Sequence, residues 1–187
     1  VSTLTDQLAR IGVVTFGQFR VRESFVPVAV HLALIPSYPD VWNPLADEIA
    51  ALLRAAGKRY VLPTPAAIPL GATAALRAGL PLAFPIDGLN GPIEGAFNFN
   101  VPTVLLTDYL TDGAAEEALI RNAGRQGLDV EAVIAVIDGE QCPTLAGGLR
   151  PTAWRTLSAL IAALDPARLP PLMRESVLAW QRDQRRP

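Results

Sequence analysis

Val104-Leu105-Leu106-Thr107-Asp108-Tyr109-Leu110-Thr111-Asp112-Gly113 passes from an uninterrupted apolar run into a polar turn, and a helical pattern begins at the next residue, Ala114. Val101 to Thr107 is rich in β-branched and aliphatic residues with no polar alternation, which predicts a strand covered on both faces. The turn is expected over Asp108 to Gly113. Ala114 to Gln126 then reads as a helix stopped by Gly127, and Val130 to Ile137 as a second buried strand. Strand, helix and strand in this order predict an α/β domain with a parallel sheet. Such a turn lies at the carboxyl edge of the sheet, where the amides of a helix N-terminus favour anionic ligands.

The flanking sequence extends the pattern. A short helix is predicted over Thr5 to Ile11, closed by Gly12, then two short strands (Val13 to Phe16 and Phe19 to Arg22) around a turn at Gly17-Gln18. Val26 to Ile35 reads as a further extended stretch, with Pro27 at an edge. Asn43-Pro44 predicts a helix start by capping and proline placement, with Leu45, Ile49, Leu52 and Leu53 as its apolar stripe and Gly57 as its end. Tyr60 to Leu62 is a short apolar run, Ala67 to Ala78 a helix ended by Gly79, and Leu80 to Ile86 an irregular apolar stretch. The stretch 87–100 reads as loop or hairpin. Beyond Gly147, helices are predicted over Thr156 to Leu164, from Asp165-Pro166, and over Val177 to Arg182, before a basic tail at 184–187.

Composition narrows the function classes. The chain has 187 residues, 50% hydrophobic and 18% charged, with a net charge of −2, so it is long enough to bury roughly 70% of its unfolded surface in one domain. One cysteine, Cys142, and one histidine, His31, exclude a disulfide framework, a Cys/His zinc site, and any histidine-dependent triad not built on His31. The slightly acidic balance speaks against a nucleic-acid groove. No long apolar run or signal-peptide pattern is present, so the expectation is a cytoplasmic protein without membrane contact. Fifteen of the sixteen basic residues are arginine and only Lys58 is lysine, which leaves little lysine chemistry to draw on.

The segment 104–115 resembles the phosphoribosyl-pyrophosphate motif of the type I phosphoribosyltransferases, and the likeness points to their orotate branch. Phe16-Gly17-Gln18-Phe19-Arg20-Val21-Arg22 resembles that branch's N-terminal signature, Pro63-Thr64-Pro65-Ala66-Ala67-Ile68-Pro69-Leu70 its pyrophosphate loop, and Leu128 to Glu140 its following strand. The resemblance covers the whole chain. It implies a single domain with a Rossmann-like parallel sheet flanked by helices: an N-terminal helix and hood strands over 1–36, an α/β core over 43–146, and C-terminal helices over 147–187. It also implies a homodimer.

The same resemblance assigns residues. Asp108 would steady positive charge at the ribose. Thr111, Asp112, Gly113, Ala114 and Ala115 would form the phosphate turn, Pro63, Thr64, Pro65 and Ala66 the pyrophosphate loop, and Arg22 the base side, where a solvated strand arginine is an equal reading. Departures accompany these matches. Thr107 stands where the family has an acid, and Asp112 where it has a small neutral residue; as an ordinary helix cap, Asp112 would occupy the amides a phosphate needs. Ala66 replaces a lysine, and the segment 87–95, in place of a cation-rich loop, contains no Lys, Arg or His. A substitute cation would have to come from Arg121, Arg125 or a second subunit.

Other chemistry-bearing residues have plainer readings: His31 as a core or half-buried strand histidine, Cys142 as an inert thiol, and Asp138 and Glu140 as a solvated loop rather than metal ligands. Trp42, Trp154 and Trp180 read as packing residues. Two functions follow. One is an orotate-phosphoribosyltransferase-like protein, impaired in catalysis, that binds a nucleotide or other phosphorylated ligand in the crevice. The other is an active enzyme joining phosphoribosyl pyrophosphate to a pyrimidine such as orotate, with Mg²⁺.

Overall fold

The computed structural model describes residues 3–21, 24–163 and 171–184. In chain order its elements are α1 (Leu4–Arg10), β1 (Val14–Val21), β2 (Ser24–Val30), α2 (Pro39–Ala56), β3 (Tyr60–Pro63), α3 (Ile68–Ala78), β4 (Phe84–Pro85), β5 (Ile93–Glu94), β6 (Val101–Leu110), α4 (Ala114–Gln126), β7 (Leu128–Asp138), β8 (Thr152–Thr156), α5 (Leu157–Ala162) and α6 (Pro171–Gln184). The central sheet has the order β3-β6-β7-β8 and is parallel throughout. The pairs β1-β2 and β4-β5 are antiparallel two-stranded ribbons. No helix among the described residues is long and apolar enough to cross a membrane.

β6 is the axis of the molecule because its side chains are needed on both faces. Val104 and Leu106 join Leu45, Ile49, Leu53 and Ala74 of α2 and α3 in one cluster. Leu105 joins Leu119 and Ala123 of α4, with Leu62 and Ala135, in the other. This explains the unbroken apolar run: a strand sandwiched between helices has no solvent face to carry alternating polar residues. Trp154 is buried in the first cluster, with Trp42 and Trp180 packed against it.

Several expectations are corrected. Gly17-Gln18 do not turn; β1 runs through them, and an irregularity between Phe16 and Phe19 absorbs one extra residue as a bulge. The pairing of β1 with β2 continues to Val21 opposite Ser24. Arg22 lies outside the described residues, as do Asp165-Pro166 and the tail from 185. After β2 the chain forms a 3-10 turn over Leu32–Ser37 rather than continuing extended, and His31 before it is exposed, not a core histidine.

α2 begins at Pro39, with Pro44 inside it. Pro44 removes only the amide that the Asp40 carbonyl would accept, one bond in an eighteen-residue helix buried along its length. Asn43 is no cap; its side-chain oxygen accepts from Arg77 Nη2 at 2.6 Å, which ties α2 to α3.

Two strands are longer or newer than expected. β6 extends to Leu110, which puts Asp108 in the strand rather than the turn. β8 lies in the region read as helical. It has only one fully buried side chain, Trp154, so no apolar run announced it. Its anchor is specific: Trp154 Nε1 donates to Glu48 Oε2 of α2 at 2.5 Å, and the Arg155 guanidinium lies 4.5 Å from the Trp154 ring centroid.

If both clusters hang on β6, Leu106→Ala should lower stability by about 2–5 kcal/mol in urea unfolding, since Leu106 is fully buried. A loss below about 1 kcal/mol would contradict the placement of β6 at the core.

Candidate active-site crevice

The carboxyl ends of β3 and β6 lie side by side. Pro63 pairs with Leu106, and the Thr64 amide donates to the Leu106 carbonyl at 2.8 Å. This register sets Thr64, and with it Pro65 and Ala66 in a short 3-10 turn, beside Asp108. Thr64 is 5% exposed, and its hydroxyl has no hydrogen-bond partner among the described residues.

Burial pushes the Asp108 carboxyl above its ordinary value. The amides of Tyr109 and Asp108 oppose the shift, as does the nearby Thr64 hydroxyl, whose geometry falls short of a hydrogen bond. Burial outweighs all three because an ion leaving water loses more than these few donors return.

The turn after β6 is packed from behind. Gly113 has φ 80°, and a Cβ there would stand 2.6 Å from Cys142 Sγ and 2.7 Å from Leu145 Cδ2. Only glycine fits both the conformation and the space. Cys142 therefore sits against the start of α4, but burial raises its pKa and keeps it a thiol, with Sγ 3.5 Å from the Thr144 carbonyl. Within the turn, Asp112 Oδ1 accepts from the Ala114 amide at 3.1 Å. A carboxylate thus already occupies the first helical amide of α4. Ala115 is exposed beside it, and Thr111 is partly buried.

Thr107 is engaged on the α4 side of the sheet. Its hydroxyl donates to Glu116 Oε1 at 2.6 Å, and Glu116 is only 3% exposed. Sequence reasoning missed this pair, because a glutamate in the first turn of α4 ordinarily reads as a solvated, dipole-favoured residue and nothing local marks Glu116 as buried.

The segment 87–95 is built into the fold. β4 and β5 pair within it, and the Ile86 amide donates to the Pro92 carbonyl at 2.9 Å. A Cβ on Gly91 would stand 1.9 Å from the Ile86 carbonyl oxygen, so the bend tolerates no side chain. Two amide side chains of α4 clasp it. Asn122, 3% exposed, donates to the carbonyls of Leu89 (3.1 Å) and Gly91 (2.8 Å). Gln126 donates to Gly91 O (3.1 Å) and accepts from the Ile93 amide (2.9 Å). The i,i+4 spacing of Asn122 and Gln126 is the sequence signal that was overlooked.

The remaining candidates are used structurally. Asp138 Oδ1 accepts from the Glu140 amide at 2.7 Å, and Glu140 Oε2 accepts from the Ser158 amide at 3.0 Å and from the Ser158 hydroxyl, capping α5. Arg121 faces Glu117 at 3.5 Å, and Arg125 reaches Asn122 Oδ1 at 3.4 Å. Among the described residues no three or more His, Cys, Asp or Glu side chains gather as a metal site.

The Asp108 shift sets a pH dependence. Between the ordinary carboxyl value and the higher folded one, the native state binds more protons than the unfolded chain, so stability falls as pH rises through the folded value. Asp108→Asn removes that loss. In urea unfolding the variant should gain on the parent as pH is raised from about 4 to about 7; a difference that does not change with pH would count against the burial of this carboxyl.

No protein-family model matches the chain. The sequence is 27% identical over 146 residues to the orotate phosphoribosyltransferase of Methanocella arvoryzae, covering 74% of this chain and 82% of that protein. The fold superposes on Leishmania donovani UMP synthase with a TM-score of 0.83 at 20% identity, covering 96% of this chain; this chain spans 42% of the length of that protein. It superposes on orotate phosphoribosyltransferase from Aeropyrum pernix with a TM-score of 0.72 at 20% identity, covering 86% of this chain and 98% of that one. The chain thus has the type I phosphoribosyltransferase fold, and its sequence is similar to an orotate phosphoribosyltransferase.

Proposed function

We propose that the chain binds a nucleotide-like, phosphorylated ligand in the crevice between Thr64 and Asp108, and that its capacity for phosphoribosyl transfer is strongly reduced. The observation that carries this reading is the clasped segment 87–95, which contains no cation and is held to α4 by four hydrogen bonds, three donated by Asn122 and Gln126 and one accepted by Gln126 from the Ile93 amide. Departure of pyrophosphate concentrates negative charge on the leaving group, and each missing charge-stabilising donor raises the barrier by about 3–4 kcal/mol in comparable sites. Asp112 on the Ala114 amide adds a like charge where an incoming phosphate would sit.

Among the described residues no metal cage is assembled. Mg²⁺ therefore enters this reading only in company with a pyrophosphate-bearing ligand. Homodimer formation and a cytoplasmic setting belong to the same proposal, supported by likeness to the orotate phosphoribosyltransferases.

The test is calorimetric titration with UMP, and with phosphoribosyl pyrophosphate plus Mg²⁺, alongside orotate consumption followed by absorbance on the same sample. Binding at micromolar concentration without orotate consumption is expected. Sustained consumption at roughly 1 s⁻¹ or faster, an ordinary enzymatic rate, would establish the active-enzyme reading instead. The clasp itself is checked by hydrogen exchange: Asn122→Ala combined with Gln126→Ala should raise the exchange rate of amides in 88–93 at least about tenfold. An unchanged rate would show that the ribbon holds its shape without α4.

A further inference from the structure

We propose that Thr64 is a positioning residue: its hydroxyl turns onto the Asp108 carboxylate when the crevice fills and fixes how that carboxylate faces the ligand. This rests on the reading that the crevice takes a nucleotide-like ligand, and it adds a residue that acts on the ligand only through Asp108.

The backbone brings the pair together. Leu106 and Asp108 are two residues apart in β6, whose pairing with β7 is regular from Val104 to Leu110, so their side chains leave the same face. Leu106 packs on that face with α2 and α3. On the neighbouring strand the Thr64 amide is held to the Leu106 carbonyl at 2.8 Å. Helix α3 presses on the preceding residue: a Cβ on Gly71 would stand 2.8 Å from Pro63 Cβ and 3.5 Å from Leu106 Cδ2. The Thr64 backbone is thus fixed from two sides, and what is left to move is its side chain, about χ1.

The hydroxyl has no structural task. Thr64 precedes the 3-10 turn Pro65–Ala67, a place where threonine commonly caps with its side chain. Here it makes no such bond, and the Ala67 amide donates to the Thr64 carbonyl instead. Thr64 is 5% exposed and its Oγ1 is buried without a partner. A buried hydroxyl left unpaired lowers stability and is uncommon in folded chains. Closed off from solvent, this one reaches a ligand only through a neighbour.

Asp108 is that neighbour, and it is partly exposed. Burial holds its carboxyl above the ordinary value, the Tyr109 and Asp108 amides and the Thr64 hydroxyl oppose that shift, and no charged group is among the causes. A full hydrogen bond from Thr64 would favour the ionised carboxylate and leave its second oxygen to accept from the ligand. A ligand hydroxyl donating to that oxygen favours the same ionised form. Occupancy of the crevice and the turn of Thr64 therefore reinforce one another.

The test uses two variants. Thr64→Val keeps the shape and removes the donor; Thr64→Ser keeps the donor. Because the hydroxyl is unpaired without ligand, Thr64→Val should resist urea at least as well as the parent. In the ligand-free protein, carbon-13 NMR titration should place the Asp108 pKa higher in Thr64→Val than in the parent, and Thr64→Ser should restore it. Calorimetry at about pH 7 should show UMP bound roughly tenfold more weakly by Thr64→Val and with near-parental affinity by Thr64→Ser. Below the parent's Asp108 pKa, where the carboxyl is protonated in all three proteins, the affinities should converge.

An Asp108 pKa that Thr64→Val leaves unmoved would overturn the role of Thr64, and so would equal UMP affinity in that variant and the parent, with the crevice reading intact in both cases. A Thr64→Val protein less stable than the parent, or a Thr64→Ser protein that behaves like Thr64→Val, would assign the effect to packing and overturn it too. A parent that binds no UMP would remove the crevice reading and the role of Thr64 together.

Discussion

The parallel pairing of β6 with β3 and β7 is the constraint on which the rest of the structure depends. Because Val104, Leu105 and Leu106 must be buried on two faces at once, the strand can neither slip nor flip without exposing one cluster. That fixed register carries Asp108 to the carboxyl edge beside Thr64 and delivers the chain to the start of α4. The site is thus a consequence of core packing two and four residues upstream, and its precision comes from elements that contribute nothing to its chemistry.

The same register explains why an acid at position 107 would be incompatible with this particular chain. Thr107 lies within 2.6 Å of a carboxylate oxygen of Glu116 in a buried setting. A second carboxylate there would place two acids in contact away from water, and one would have to take up a proton. A hydroxyl instead gives Glu116 a donor and links the strand to the helix across the turn. Threonine at 107 and glutamate at 116 are therefore one coupled feature, which a reading of position 107 alone treats as a loss.

What was legible in the sequence was what local periodicity and turn chemistry specify. The limits of α4, the glycine ends of α2 and α3, and the buried character of β6 and β7 all follow from short-range patterns. The rest depended on partners distant in sequence. Pro44 reads as a helix start because tertiary support for a helix beginning at Pro39 is invisible locally. β8 is a strand because Glu48 and β7 receive Trp154 and its neighbours. At the candidate site, Thr64 and Asp108 were visible as motif positions, while Glu116, Asn122 and Gln126 act on backbone or hydroxyls 9 to 35 residues away.

These long-range contacts share a chemical character that bears on function. The clasp on 87–95 is made by neutral amides, and the donors that face Asp108 are the Tyr109 and Asp108 backbone amides and the hydroxyl of Thr64. The clasp amides are spent on the carbonyls of Leu89 and Gly91 and do not serve growing charge on a leaving group. A transferase crevice needs donors and cations aimed at that group, which gain most as it becomes an anion. In this chain Lys58, Arg77, Arg121 and Arg155 pair with Glu131, Asp47, Glu117 and Glu48 on the helices and sheet. On the proposed reading, a sheet edge that presents the Thr64 hydroxyl and the Asp108 carboxyl is better suited to holding a ligand than to expelling pyrophosphate.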